Sequence, residues 1–364
     1  MKATRISDYQ FFFIIFVSVT SLTFFSVPLQ LVSKVKQDLW LSMAIGTAVD
    51  LYVAAILAWL GNAYPGQSLV QYPSAALGKA AGKLVGAIFL LFFVGVVVSS
   101  LWIFSDFLAR TLMPETPRFL FSTTMTLCAG WAASKGLETI ARLAQLIGAV
   151  ILIVSIIMFA TSLPLFRADH LLPQFENGFG PAVKGSVYSA SWFGICIMMG
   201  MLMPHQANPK RTFRMKTFAV LLGSSLMTLY LLYCIGVMGP YMAARLENPI
   251  YTFARITRLV IFERIEVLLL LVFITGTFIT MSTLYFSVAE GVSQWLGERW
   301  RKASLYGFGV LFVLSPVLPF RHHSALVDQY LSKWFPMVAL SVEGGLTTIV
   351  FLAAFLKKKL GPRR

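Results

Sequence analysis

Two acidic residues lie inside long apolar stretches of this 364-residue chain. Asp50 falls in the middle of the stretch 40–60, and Glu343 lies a short way into the stretch 335–356. A charge inside a lipid bilayer is costly, so an ionisable residue there needs a partner or a water-filled cavity. Neither residue has an obvious counterion nearby in sequence. A proton or water path and satisfaction by polar neighbours on other helices are both open for Asp50 and Glu343.

The remaining chemistry-bearing residues do not form a catalytic or metal-binding pattern. Asp106 with Arg110 and Glu138 with Arg142 have the i,i+4 spacing of structural ion pairs near helix ends. The histidines and cysteines lack zinc-ligand or disulfide spacing, and there is no phosphate-binding loop or nucleophile elbow. These residues are His170, His205, His322, His323, Cys128, Cys196 and Cys234. We therefore expect no enzyme, no cofactor and no metal.

The elements that carry these residues are membrane-spanning helices. The chain is 57% hydrophobic and 12% charged, with a mean hydropathy of +0.76, whereas charged residues make up about a quarter of a soluble domain. Apolar runs of about 18 to 25 residues are the length of a membrane-spanning helix. We predict an all-α integral membrane protein of about ten spans. They run near 9–32, 40–60, 84–108, 119–133, 143–163, 187–203, 217–238, 265–289, 304–318 and 335–356.

Charge distribution predicts the topology. Ten spans place both termini on one side, and the loops on that side hold more Lys and Arg, so the termini are predicted to be cytoplasmic. The net charge of +15 comes from short basic clusters between apolar runs, such as Lys210, Arg211, Arg214 and Lys216. Such clusters are typical of loops facing anionic lipid, so nucleic acid is not an expected partner.

Two connecting segments are predicted to lie at the membrane surface. The stretch 239–264 is amphipathic after Asn248 and is expected to form a helix on the outer face. The stretch 72–83 is either a cytoplasmic interfacial element or a plain loop.

Breaks in the first and sixth spans suggest an internal repeat. Residues that weaken a helix occupy 18–26 ahead of Pro28, and Gly194 and Gly200 precede Pro204. Breaks five spans apart are expected of an inverted-repeat transporter, although Gly and Pro are also common in ordinary membrane helices. The repeats would cover about 9–163 and 187–356 of one membrane domain, 1–364.

Several stretches in order and spacing resemble the endospore germination permease family, the B subunits of nutrient germinant receptors in the amino acid-polyamine-organocation superfamily. They are Pro28, DLWLS at 38–42, YPGQSL at 64–69, LGK at 77–79, GK at 82–83, GLE at 136–138 with Arg142, Pro204, PKRTFR at 209–214 and FERIE at 262–266.

The resemblance implies a LeuT-like 5+5 inverted repeat whose broken helices 1 and 6 flank a ligand site at the bilayer midplane. Free backbone groups at such breaks bind the carboxylate and amine of an amino acid. By this resemblance, the residues expected at the ligand site are Ser21, Leu22, Thr23, Ser99, Ser191, Gly194 and Thr277. Their hydroxyls could instead bond to carbonyls of their own helices or permit close helix packing.

Two positions depart from the family pattern. Ser21 and Thr23 align with a usual Gly-x-Gly at the first break, and Met198 aligns with an acidic residue common in the sixth span. The second change argues against a cation or amine held by a carboxylate of that span.

The resemblance implies a germinant-receptor subunit in the spore inner membrane, or a bacterial cell membrane, that binds a small nutrient and signals to other receptor subunits. The nutrient would be an amino acid. A proton-coupled amino-acid permease is the alternative function, in which Asp50 and Glu343 titrate. A structural scaffold with a vestigial site is a third possibility.

Overall fold

The computed structural model describes residues 5–257, 265–315 and 329–360, and these residues are almost entirely helical. Seven helical segments among them are long and apolar enough to cross a membrane. The other three predicted spans coincide with helices that are shorter or less apolar, Asp8–Ser26, Arg118–Lys135 and Trp300–Leu314. The predicted all-α membrane fold is confirmed.

The spans follow one another with short connections. In order they are Asp8–Ser26 continued by Pro28–Val35, Leu39–Ala63, Lys79–Thr111, Arg118–Lys135, Leu137–Ser162, Gly180–Phe193 continued to His205, Thr212–Met238, Ile265–Leu296, Trp300–Leu314, and Tyr330–Trp334 continued to Leu360. We refer to them as the first to the tenth span. A capping box fixes the start of the first span: Gln10 donates its backbone N–H to the Ser7 hydroxyl, and the Ser7 N–H donates to the Gln10 side chain.

Both expected breaks are present. In the first span the helix is continuous to Ser26 and the break lies at Val27, because Pro28 has no N–H to donate to the preceding turn. The break is therefore not at 21–23. In the sixth span a 3₁₀ segment, Gly194–Met198, separates Gly180–Phe193 from Met199–Leu202.

Packing between spans repeats with an offset of five. The first span packs on the seventh, and correspondingly the sixth packs on the second; the third packs on the fourth, and the eighth on the ninth. Each contact therefore has a counterpart between the spans five places along. This is the pattern expected of two structural repeats of five spans each.

The connecting segments are more buried than the sequence predicted. After the second span a short helix, Tyr72–Leu77, packs on the third span; Tyr72 is fully buried there, which raises the pKa of its hydroxyl. In the connection before the eighth span, Pro249–Ile256 forms a helix that buries Ile250 and Phe253 against the protein. Residues 258–264 and 316–318, with His322 and His323, lie outside the described residues.

Candidate functional site

An open cavity lies on the side of the membrane domain where the first span ends, opposite the N terminus. It has a volume of about 400 Å³ and is bounded by the first, third, sixth and tenth spans and the connection before Pro249–Ile256. Its lining includes Lys34, Trp102, Asp106, Arg110, Trp192 and Glu247. The ion pair of Asp106 and Arg110 was predictable from the sequence, whereas the cavity was not, because its walls come from segments far apart in the chain.

Charged pairs surround the cavity mouth. The Asp106 carboxylate accepts from Arg110 at 3.0 Å, confirming that predicted pair, and also pairs with Arg118 at 2.9 Å. Arg110 reaches Glu247, in the connection before Pro249–Ile256, at 3.7 Å. Because this last pair is solvent-exposed, it contributes little stability and can open at little cost.

The predicted ligand residues lie deeper than the cavity, and within the described part of the chain none of them lines it. Three of their hydroxyls bond within their own helices: Ser99 donates to Gly95 O, Ser191 to Tyr188 O and Thr277 to Phe273 O. These three hydroxyls fit the alternative prediction, in which they bond to carbonyls of their own helices.

Ser21 and Thr23 behave differently. Both side chains are fully buried, and their hydroxyl oxygens have no hydrogen-bond partner among the described residues. Their neighbours Ser18 and Thr20 do bond to carbonyls of the preceding turn. The hydroxyl of Ser100 in the third span is likewise buried and unpaired within residues 5–257, 265–315 and 329–360. A buried unpaired polar group costs about 1–3 kcal/mol, so these hydroxyls are suited to a ligand.

Aromatic side chains lie between the cavity and these hydroxyls. Phe24, one residue beyond Thr23, stacks on Phe273 of the eighth span with ring centroids 4.0 Å apart. It also meets Phe107, which lines the cavity, edge to face. On the other wall Trp192 packs on Phe335 at 4.5 Å. The deeper position is therefore occluded from the cavity in this conformation.

The opposite side is closed by backbone pairing. Ile6, before the first span, donates its N–H to His205 O at 2.8 Å and accepts from Ala207 N–H at 2.9 Å. The loop after the second span bonds to the sixth span, with Leu69 N–H donating to Gly200 O at 3.0 Å. The start of the first span is thus joined to the end of the sixth span. At the other side, the second half of the first span still contacts the sixth span, since Lys34 donates to the Tyr188 hydroxyl, and the cavity lies beside this contact.

Asp50 has a counterion that the sequence analysis missed. Lys216 of the seventh span donates to its Oδ1 at 2.7 Å, and both side chains are fully buried. The sequence analysis placed Lys216 in a cytoplasmic basic cluster, which is wrong because the seventh span begins at Thr212 and Lys216 faces the interior. The signal was present in the spacing: Thr212, Lys216, Ala219 and Gly223 fall on one buried helix face.

Glu343 meets the break in the sixth span. Its side chain is 1% exposed, and both carboxyl oxygens are unpaired among the described residues. A Cβ added at Gly194 would lie 1.9 Å from its Oε2, so the carboxyl group rests directly on the glycine backbone. The structure therefore brings together Gly194 and Glu343, which the sequence analysis had assigned to separate roles.

Comparison with known proteins shows which family shares this sequence pattern. Residues 5–323 match the family model described as spore germination protein. The spore germination protein YndE of Bacillus subtilis (strain 168) is 23% identical over 88% of this chain and 88% of its own length. Spore germination protein KB of the same organism is 22% identical over 99% of this chain and 97% of its own length.

Solved structures with the same arrangement are LeuT-fold transporters. Mhp1, a nucleobase-cation-symport-1 family transporter in a closed conformation with bromovinylhydantoin bound, matches with a TM-score of 0.67 and 13% identity over 98% of this chain and 80% of its own. MhsT in complex with L-phenylalanine matches with a TM-score of 0.59 and 14% identity over 98% of this chain and 100% of its own. The predicted LeuT-like fold is confirmed.

Proposed function

This chain belongs to the spore germination protein family, and we propose that it is the membrane subunit of a nutrient-germinant receptor. It binds a small nutrient near the bilayer midplane and passes the signal to partner subunits through a shift in the helix bundle. Its membrane is the spore inner membrane, with both termini cytoplasmic. Its family and fold neighbours are receptors or transporters rather than enzymes.

The observation that carries the proposal is that the buried hydroxyls of Ser21 and Thr23 have no hydrogen-bond partner among the described residues. Thr23 lies about one turn and Ser21 nearly two turns before the break of the first span at Val27, next to Phe24, whose ring stacks on Phe273. A ligand that accepts from or donates to either hydroxyl would satisfy a buried polar group that is unpaired among the described residues. The L-phenylalanine bound to MhsT supports an amino acid as the ligand class.

Signalling requires that the nutrient bind one conformation more tightly than another. Here the outer cavity is open while the deeper position is occluded by Phe24 and Phe273. Entry of a nutrient must displace the Phe24 ring, which sits three residues before the break at Val27. Movement at that break is the change that partner subunits would detect.

Gene deletion in the source organism tests this function. Spores without the chain are followed for loss of refractility against amino acids, sugars and nucleosides, with the restored gene as control. Loss of one nutrient response while the others persist supports a receptor. Intact responses to every nutrient would overturn the proposal.

A proton-coupled amino-acid permease is the second candidate, favoured by the buried ionisable groups Asp50, Lys216 and Glu343. Ionisable residues inside a membrane bundle often form proton relays. Amino-acid uptake into proteoliposomes that stops when the proton gradient is collapsed would select the permease. Absence of uptake, together with measurable nutrient binding, would select the receptor.

A further inference from the structure

Three ionisable side chains lie near one another inside the membrane domain. Asp50 on the second span and Lys216 on the seventh form a fully buried ion pair at 2.7 Å. Oδ2 of Asp50 has no partner within the part of the chain that the structure describes. Since Asp50 and Lys216 carry opposite charges, the pair alone is neutral and needs no further ion.

Glu343 adds a third ionisable group from the tenth span. It lies in a π-helical turn, Ser341–Leu346, where the widened helix carries its carboxyl group toward the sixth span. Single π-helical turns inside membrane or soluble helices are frequent at functional sites. The contact with Gly194 places the carboxyl group at the 3₁₀ break.

Among the described residues, the charged groups that act on Glu343 come from the second and seventh spans. The charges of Asp50 and Lys216 both act on it, and those of all three act on the Cys196 thiol in the broken segment of the sixth span. The second, sixth, seventh and tenth spans therefore contribute Asp50, Cys196, Lys216 and Glu343 respectively. Within this group Lys216 is the single cation, and Asp50 already accepts from it.

An ionised Glu343 would leave a net negative charge in this buried group. Removing a carboxylate from water without a partner costs several kcal/mol at least, by a rough estimate. Neither Glu343 oxygen accepts a hydrogen bond from the described residues. A metal cation is disfavoured as the neutralising species, because the Lys216 ammonium is beside Asp50 and Gly194 closely contacts Glu343. A proton needs no additional space.

We infer that Asp50, Lys216 and Glu343 form a proton-binding site at the break in the sixth span, with the proton held by the Glu343 carboxyl group in this conformation. The unpaired Oδ2 of Asp50 is the acceptor available when the two carboxyl groups approach. Release is a simple dissociation in which the O–H bond of Glu343 breaks and water takes the proton.

Release has a structural consequence. The ionised Glu343 would compete with Asp50 for Lys216 and would leave its contact with Gly194. The site therefore links proton occupancy to the conformation of the sixth span. This inference does not depend on the identity of the nutrient, or on there being one.

Infrared difference spectroscopy of the full-length protein in lipid tests the inference without any nutrient. The signal is the C=O stretch of a protonated carboxylic acid, which a carboxylate lacks. At pH 7 we expect this band in the unaltered protein, a shift of the band when the protein is labelled with [¹³C]glutamate, and its loss in Glu343→Gln. Glu138→Gln is the control, because Glu138 is half-exposed and paired with Arg142.

Two results would overturn the inference. The first is the absence of a protonated-carboxyl band at pH 7. The second is a band that the glutamate label does not shift, because such a band would come from an aspartate. If Glu343→Gln does not fold, the labelled unaltered protein still separates these outcomes. Glu343→Asp provides the second variant, since its band should no longer respond to the glutamate label.

Discussion

The hydroxyl of Ser21 occupies the space that Gly276 leaves by having no side chain. A Cβ built on Gly276 would lie 2.0 Å from Ser21 Oγ, so the first and eighth spans approach closely at the level of the proposed nutrient site. Small residues permit such close approach between membrane helices.

Substitution of Gly276 by Ala should therefore displace the Ser21 hydroxyl and weaken the nutrient response. Overpacking of this kind costs about 1–3 kcal/mol, and the concentration of nutrient giving a half-maximal response should rise. Gly95→Ala in the third span is the matched control, because a Cβ there meets no described atom within 4 Å. Equal responses of the two variants would separate Ser21 from nutrient binding.

Removing the Thr23 hydroxyl should weaken nutrient binding without destabilising the empty protein. Thr23→Val keeps the shape of the side chain and removes an unpaired group, so thermal stability should be unchanged or higher. Nutrient affinity should fall roughly fivefold, the equivalent of one hydrogen bond of about 1 kcal/mol. The control is Thr20→Val, whose hydroxyl already bonds to Phe16 O; it should lose stability and keep its affinity. The reverse ranking would contradict the proposed site.

Truncation of Phe24 should open a path from the outer cavity to Ser21. In a Cys128→Ser background, Ser21→Cys should react slowly with a membrane-impermeant thiol reagent added from the cavity side. Phe24→Ala should make that reaction at least several-fold faster, because the ring stacked on Phe273 is removed. Phe12→Ala, on the same span and away from the cavity, serves as control. An unchanged rate in Phe24→Ala would show that this ring is not the barrier.

Loss of Lys216 should be strongly destabilising, and loss of both partners much less so. Lys216→Met leaves the Asp50 carboxylate buried without its cation, which costs about 3–5 kcal/mol in comparable pairs. The double variant Asp50→Leu/Lys216→Met should recover most of the loss. Thermal unfolding in detergent is measured for Lys216→Met, Asp50→Leu, the double variant and the unaltered chain. Additive effects of the two substitutions would mean that the buried pair contributes no coupling.

The span pattern could be predicted because the physics of lipid burial is local in sequence. Apolar runs of spanning length and the helix-weakening residues before Pro28 and at Gly194 are visible without any tertiary information. The break in the first span lies at Val27 because it depends on the missing N–H of Pro28 rather than on the hydroxyl-rich stretch before it.

The site was harder to predict because it depends on contacts between distant spans. Thr20 and Thr23 are three residues apart on one helix, yet the Thr20 hydroxyl bonds to Phe16 O and the Thr23 hydroxyl has no partner among the described residues. The contact of Glu343 with Gly194 requires a π-helical turn that no periodicity in the sequence signals. Lys216 was the exception. Its place on a buried helix face was predictable from the spacing, but its basic neighbours favoured a loop.

The backbone pairing of Ile6 with His205 and Ala207 closes the helix bundle at the end where the first span begins. With the termini in the spore core, as proposed, nutrients on that side of the membrane would not reach the ligand position in this conformation, whatever their concentration. Only molecules that reach the opposite side of the membrane, where the cavity opens, would bind. The backbone contacts of Ile6 with His205 and Ala207, and of Leu69 with Gly200, would then keep nutrients inside the spore from triggering germination.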